Sequence, residues 1–170
     1  FNIPGVKEHS FYLWSLEDAL RIKRHIIDIV TKASYEKNQE VRQEMLTFVV
    51  AGGGFTGIEL VGELLEWLPI LCKEHGIDPC EARLINVEAL GSILNMLTDK
   101  PRQKAVEYME KHGVEIKLNS LITNVTPDTV TIKDGTEIKT RTLVWTCGVR
   151  GTTFCHNLPL VDGKVQRKIF

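Results

Sequence analysis

Thr47-Phe48-Val49-Val50-Ala51-Gly52-Gly53-Gly54-Phe55-Thr56-Gly57-Ile58-Glu59-Leu60 is the stretch on which the reading of the fold turns. Its first five residues form a continuous apolar, mostly β-branched run that ends at glycine, which predicts a strand buried on both faces of a parallel sheet. Beyond the glycines, Ile58, Leu60, Val61, Leu64, Leu65 and Leu68 predict a helix continuing towards Cys72. The glycines therefore stand where a strand hands over to a helix. G-x-G-x-x-G alone is a weak signal, but in this context it reads as a dinucleotide-binding turn. Gly52 lets the chain leave the strand sharply, Gly54 lets a pyrophosphate approach the backbone, and Gly57 allows close packing of helix on strand. Gly53, Phe55 and Thr56 complete the loop, whose first-turn N–H groups lack partners within the helix and attract an anion.

Working outward, a second apolar strand is expected at Arg83-Leu84-Ile85-Asn86-Val87, with Glu88 at its end. A carboxylate there accepts hydrogen bonds from the adenosine ribose and repels a 2′-phosphate, which favours NAD(H) over NADP(H). The interval from Gly57 to Glu88 exceeds the usual roughly 20 residues, and the long helix and the loop from Gly76 to Glu81 account for the excess. Position alone carries this assignment, and an exposed strand-end glutamate stays open beside it. Glu59 and Glu63 share one helix face. Glu59 reads equally as a surface carboxylate stabilised by the helix dipole in the first turn or as a residue facing the nicotinamide.

Upstream, Ser15 with Asp18 resembles a capping box, and Leu16, Leu20, Ile22, Ile26, Ile27 and Val30 predict an amphipathic helix over residues 15–32. Residues 35–45 are polar and predict a short exposed helix or loop. Downstream, Pro69 lies within the first helix after the loop, and Gly76 and Pro79 end that helix. Pro101 opens a further helix closed by Gly113, and Val114–Leu118 predicts a third strand. Leu121–Val125, Thr129–Lys133 and Thr136–Lys139 alternate as a β meander with a hairpin turn at Asp134-Gly135. Thr142-Leu143-Val144-Trp145-Thr146 returns as an apolar strand towards Cys147-Gly148. The expected fold class is α/β: a Rossmann-like parallel sheet with flanking helices plus a three-stranded antiparallel meander.

The chain has 170 residues, 43% hydrophobic and 25% charged, with a formal net charge of −1. This is the profile of an ordinary globular domain and gives no reason to expect nucleic acid. No apolar run approaches the roughly 18–20 residues of a transmembrane segment, and no secretory leader opens the chain, so a cytoplasmic location is expected. Cys72, Cys80, Cys147 and Cys155 show neither C-x-x-C nor zinc-type spacing and read as buried or incidental thiols, with no metal site. Both ends stop in mid-loop or just after a turn, as expected of a fragment.

Phe48–Leu60 followed by Gly62-Glu63-Leu64 resembles the NADH-binding segment of type II NADH dehydrogenases, single-chain flavoproteins of the pyridine nucleotide-disulfide oxidoreductase superfamily. The resemblance runs from about Ser10 to the chain end and includes Tyr12–Asp18, Glu88 with Ile93-Leu94, and Leu143–Val149. It implies hydride transfer from NADH to FAD and onward reduction of a quinone, with the parent protein peripheral on the inner face of the cytoplasmic membrane. It also implies that Gly52, Gly54, Phe55 and Thr56 contact the pyrophosphate and that Glu88 contacts the ribose. Glu59, Cys147 and Gly148 would line the nicotinamide pocket beside the flavin. Relatives often carry alanine at the position of Cys147, so no catalytic thiol is implied. The family's FAD-binding glycine fingerprint and its C-terminal segment are not in this sequence. The expectation is an NADH domain cut from a flavoprotein with two dinucleotide-binding domains, binding NADH without turnover, its partner the missing FAD domain. On that reading residues 1–46 lead in from the FAD-domain junction, 47–150 form the NAD(H)-binding domain and 151–170 return towards the FAD domain. Two alternatives remain: a flavoprotein reductase acting on a disulfide, ferredoxin or peroxide, and a non-catalytic NADH-sensing module.

Overall fold

A computed structural model describes residues 2–148 and the dipeptides Val161–Asp162 and Lys168–Ile169. The elements are α1 (Val6–His9), β1 (Phe11–Tyr12), α2 (Leu16–Tyr35), α3 (Gln39–Met45), β2 (Thr47–Ala51), α4 (Phe55–Glu74), β3 (Arg83–Val87), α5 (Asp99–Lys111), β4 (Glu115–Lys117), β5 (Ile122–Val125), β6 (Thr129–Ile132), β7 (Glu137–Lys139), β8 (Thr142–Trp145), β9 (Val161–Asp162) and β10 (Lys168–Ile169). The expected fold class is the observed one. Cys155 and most of the return segment lie outside the described residues; β9 pairs antiparallel with β10.

Five strands form a sheet in the order β1-β8-β2-β3-β4, and every recorded pairing in it is parallel. From β2 the chain passes through α4 to β3 on one side, and after the meander it returns as β8 on the other. The strand order thus reverses beside β2, and ligands of open α/β sheets bind at the carboxyl ends of strands at such a point. The glycine loop leaves β2 at that end.

Side chains alternate across a strand, so β2 serves two cores. Phe48 and Val50 face a cluster with Ile22, Ile26 and Val30 of α2 and Val61, Leu64 and Leu68 of α4. Val49 and Ala51 face the opposite cluster, where Ile122, Val125, Val130, Ile132 and Ile138 of the antiparallel sheet β5-β6-β7 cover the parallel sheet. All five residues of β2 are buried, as the unbroken apolar run requires.

Local chemistry sets the element ends. The Ser15 side chain accepts from the Asp18 N–H while Asp18 accepts from the Trp14 N–H, so the cap reaches one residue further back than the usual box. Helix α2 runs to Tyr35, three residues beyond the expected end. Asn38 caps α3 by accepting from Glu40 and Val41 N–H. Arg42, in the polar run expected to be a solvated face, instead grips Glu81 with Nε at 2.6 Å and Nη2 at 2.9 Å. Its Nη1 donates to the Ala33 carbonyl at 2.7 Å, tying α3 to the end of α2. Helix α5 begins at Asp99, placing Pro101 in its first turn rather than at its start, where a missing N–H costs nothing. In the hairpin only Gly135 has positive φ, at 87°. Its N–H donates to Ile132 O, and Ile132 N–H donates to Thr136 O. That is a three-residue loop ending in a left-handed glycine rather than the two-residue turn that Asp-Gly suggests.

Strand β1 was not expected. Phe11 and Tyr12 pair with Val144 and Trp145, so the lead-in extends the sheet.

Candidate functional site at the end of β2

The loop is held by hydrogen bonds to Gly52, Gly53 and Gly54. The Gly52 N–H donates to Val87 O at 2.9 Å, and Gly52 adopts φ 112°, a conformation that favours glycine. The Gly52 carbonyl accepts from Asn86 Nδ2 at 3.0 Å. The Gly53 N–H donates to Glu88 Oε2 at 2.5 Å, and the Gly53 carbonyl accepts from Leu94 N–H at 2.7 Å. The Gly54 carbonyl accepts from Ile58 N–H at 3.0 Å and so begins α4. All three glycine carbonyls are therefore turned towards donors of the protein. Among the described residues, no acceptor is recorded for the N–H groups of Gly54, Phe55, Thr56 and Gly57, and no side chain caps α4. Gly54, Phe55 and Thr56 are exposed. Donors outward and carbonyls inward, at the positive end of a 20-residue helix, are the arrangement that attracts an anion.

The glycines divide into two groups by what a Cβ would meet. At Gly57 it would be driven into the Gly52 carbonyl oxygen, the tight helix–strand contact expected of the third motif glycine. At Gly52 it would stand 2.7 Å from Thr146 Oγ1 and 3.1 Å from Cys147 Sγ. At Gly53 it would stand 2.9 Å from Ile93 Cγ2 and 3.0 Å from Glu88 Oε2. Gly54 differs: it has φ −76°, open to any residue, and its Cβ position has no neighbour within 4 Å. Nothing in the described structure requires glycine there, and the open space leaves the backbone accessible to a ligand.

Glu88 directly follows β3, and its carboxylate spans two backbone donors, Gly53 N–H and Leu90 N–H, the latter at 2.8 Å. It remains only part-buried, which leaves its lone pairs open to a ribose. Glu59 is exposed and stands at the fifth helical position of α4, beyond the first turn. The dipole rationale for it therefore weakens, because that effect falls off within the first turn. Cys147 lies beside Gly52 at the end of β8, and Gly148 follows, exposed, with φ 85°. Burial, and then the nearby Glu88 carboxylate, push the Cys147 thiol up to about 12. It stays protonated at neutral pH and is no nucleophile.

Three participants escaped the sequence reading. Thr146 Oγ1 donates to Ala51 O at 2.7 Å and packs where Cβ atoms at Gly52 and Gly57 would lie. Leu94 takes φ 49°, uncommon for a leucine, while donating to Gly53. Asn86 is fully buried in β3 and gives both amide hydrogens to Val50 O and Gly52 O, but its Oδ1 has no partner among the described residues. An unpaired buried acceptor costs about 1–3 kcal/mol. Polar residues in an apolar run carry the available signal for Asn86, and its carbonyl partners lie far away in sequence.

Among the described residues no helix is long and apolar enough to cross a membrane, and no group of three His, Cys, Asp or Glu side chains could hold a metal ion.

The type II NADH:quinone oxidoreductase of Staphylococcus haemolyticus is 37% identical over 155 residues, which cover 89% of this chain and 38% of that protein. The chain thus spans well under half the length of the curated relatives it matches. NDH2 from Plasmodium falciparum, solved in complex with NADH, has a similar fold with a TM-score of 0.83 at 22% identity, covering 91% of this chain and 33% of that one. The reduced CoADR-RHD of Bacillus anthracis has a TM-score of 0.67 at 23% identity, over 98% of this chain and 26% of that one. The sequence model of the pyridine nucleotide-disulphide oxidoreductases matches residues 1–166. A match over nearly the full length, on the fold such a site requires, identifies this chain as a member of the pyridine nucleotide-disulphide oxidoreductase family.

Proposed function

We propose that the chain is the NADH-binding domain of an FAD-dependent NADH:quinone oxidoreductase. The observation that carries the reading is Gly54, a glycine that no contact of the protein requires, at the uncapped start of α4. The N–H groups of Gly54, Phe55 and Thr56 hold the pyrophosphate, and Glu88 accepts from the adenosine ribose. Gly53 contributes through its bond to Glu88, and Gly52 and Gly57 set the turn. The nicotinamide lies towards β8, where Cys147 gives an apolar, uncharged wall and Gly148 has no side chain to obstruct a flat ring; Glu59 borders the same side. FAD, held mostly by other segments of the parent, supplies the hydride acceptor and passes electrons to quinone. Hydride transfer needs donor and acceptor in near-attack geometry, so this chain by itself binds NADH without turnover.

The quinone rests on the similarity to the staphylococcal oxidoreductases, since the fold is shared with proteins of other names. In the intact parent enzyme, anaerobic NADH should bleach the flavin absorbance and a quinone should restore it. Restoration by a disulfide or a ferredoxin but not by quinone would refute the acceptor. For the nucleotide, Glu88→Gln is informative because it keeps a carbonyl acceptor for Gly53 N–H while removing the charge. Charge-assisted hydrogen bonds contribute about 1.5–3 kcal/mol, so the preference for NADH over NADPH should fall roughly 10- to 100-fold by titration calorimetry. An unchanged ratio would remove Glu88 from the ribose.

A further inference from the structure

We propose that Asn86 is the positioning residue of the dinucleotide loop. With Glu88 it clamps the single peptide unit joining Gly52 to Gly53. That peptide has its carbonyl held by Asn86 Nδ2 at 3.0 Å and its N–H held by Glu88 Oε2 at 2.5 Å. Carbonyl and N–H point to opposite sides of a trans peptide, so two residues of one strand grip it from both ends. Asn86 and Glu88 are two apart in sequence, hence on the same face at the end of β3.

The grip has a purpose that packing does not supply. Gly52 has φ 112°, and next to a glycine a peptide plane turns over at little cost. Turned over, this one would aim its carbonyl at the Glu88 carboxylate and withdraw the N–H from it, breaking both bonds and releasing the turn that leads into α4. Asn86 holds it in the other orientation. A side chain chosen only to fill β3 would be apolar, as its neighbours Ile85 and Val87 are, and would leave no unpaired oxygen. The second amide hydrogen goes to Val50 O at 3.1 Å, so the same group anchors the loop to β2 just before the turn. Asn86 itself is fully buried beneath the loop. Its effect reaches the nucleotide through the Gly52 carbonyl and through the orientation of the carboxylate partner of Gly53.

The inference deepens the proposed function and rests on it for its ligand. The test substitutes Asn86→Leu, which keeps the branched shape and deletes the amide, with Asn86→Val as a second variant should leucine pack badly. In the full chain, hydrogen exchange of the Gly53 amide, without ligand, should speed at least tenfold while the melting temperature holds or rises. NADH should bind about tenfold more weakly, the effect of one lost positioning hydrogen bond. A folded variant with unaltered Gly53 exchange and unaltered NADH affinity would show that Asn86 only fills the sheet and would overturn the proposal. Should the unaltered chain fail to bind NADH, the proposed function fails, and Gly53 exchange still decides whether the clamp exists.

Discussion

Gly57→Ala should both destabilise the fold and strongly weaken nucleotide binding. The added methyl would run into the Gly52 carbonyl oxygen, a backbone atom that Asn86 already holds in place. The carbonyl cannot yield by turning a side chain, so the start of α4 must move off β2. Overpacking of a well-filled interior costs about 1–3 kcal/mol, and a backbone clash belongs at the upper end. For a chain of this length that lowers the melting temperature by roughly 6–12 °C. The displaced amides of Phe55 and Thr56 would lose the phosphates, and NADH affinity should drop roughly 100-fold or more, the effect of losing one or two charge-assisted bonds. A variant melting and binding like the original would show that the helix does not pack as tightly as described.

Gly54→Ala should separate what Gly57→Ala combines. Its Cβ position is open and its φ is −76°, so the protein accommodates a methyl without strain. Alanine is a poorer N-cap than glycine but also restricts the unfolded chain, and these small terms offset to within about 0.5 kcal/mol. The melting temperature should therefore barely change. The methyl occupies the space through which the pyrophosphate meets the backbone, and crowding there should weaken NADH roughly 10- to 100-fold. Lost stability with retained binding would reverse the roles assigned to the two glycines.

Local patterns made most of this architecture legible. Thr47–Ala51 is buried along its whole length, as an apolar run without alternation implies, and the run ends where the strand ends. Gly57 packs against the Gly52 carbonyl, the close helix–strand contact its place in the motif implied, and Gly54 faces open space. Features made by distant residues were not legible. Strand β1 has only two residues, too few for any period to register, and exists because Val144 and Trp145 offer it an edge. The Asn86 bond to Gly52 joins positions 34 apart, so the polar residue within β3 marks itself without naming its partner. Thr146 closes the loop from the far end of the meander. The Glu59 rationale failed for a local reason: the helix starts at Phe55, and an element boundary shifted by a residue or two moves a side chain out of the first turn.

The membership in the oxidoreductase family and the geometry at β2 support each other from independent directions. The chain's share of its relatives' length makes the division of labour concrete. On the proposed function, the residues here hold the hydride donor, and the acceptor belongs to the rest of the parent enzyme. Within that proposal the charge on Glu88 would select the nucleotide, the backbone of α4 would hold its phosphates, and β8 would set the wall beside its reactive ring.

The central claim, that the uncapped start of α4 is the pyrophosphate site for NADH, is tested most directly by recording the amide spectrum of the isotopically labelled chain during an NADH titration. Saturable shifts should centre on the amides of Gly54, Phe55 and Thr56 and extend to Glu88, with weaker binding by NADPH. Saturation with those amides unmoved and the shifts gathered elsewhere, for instance around Lys7, Arg21 and Arg141 at the groove beside β1, would contradict it.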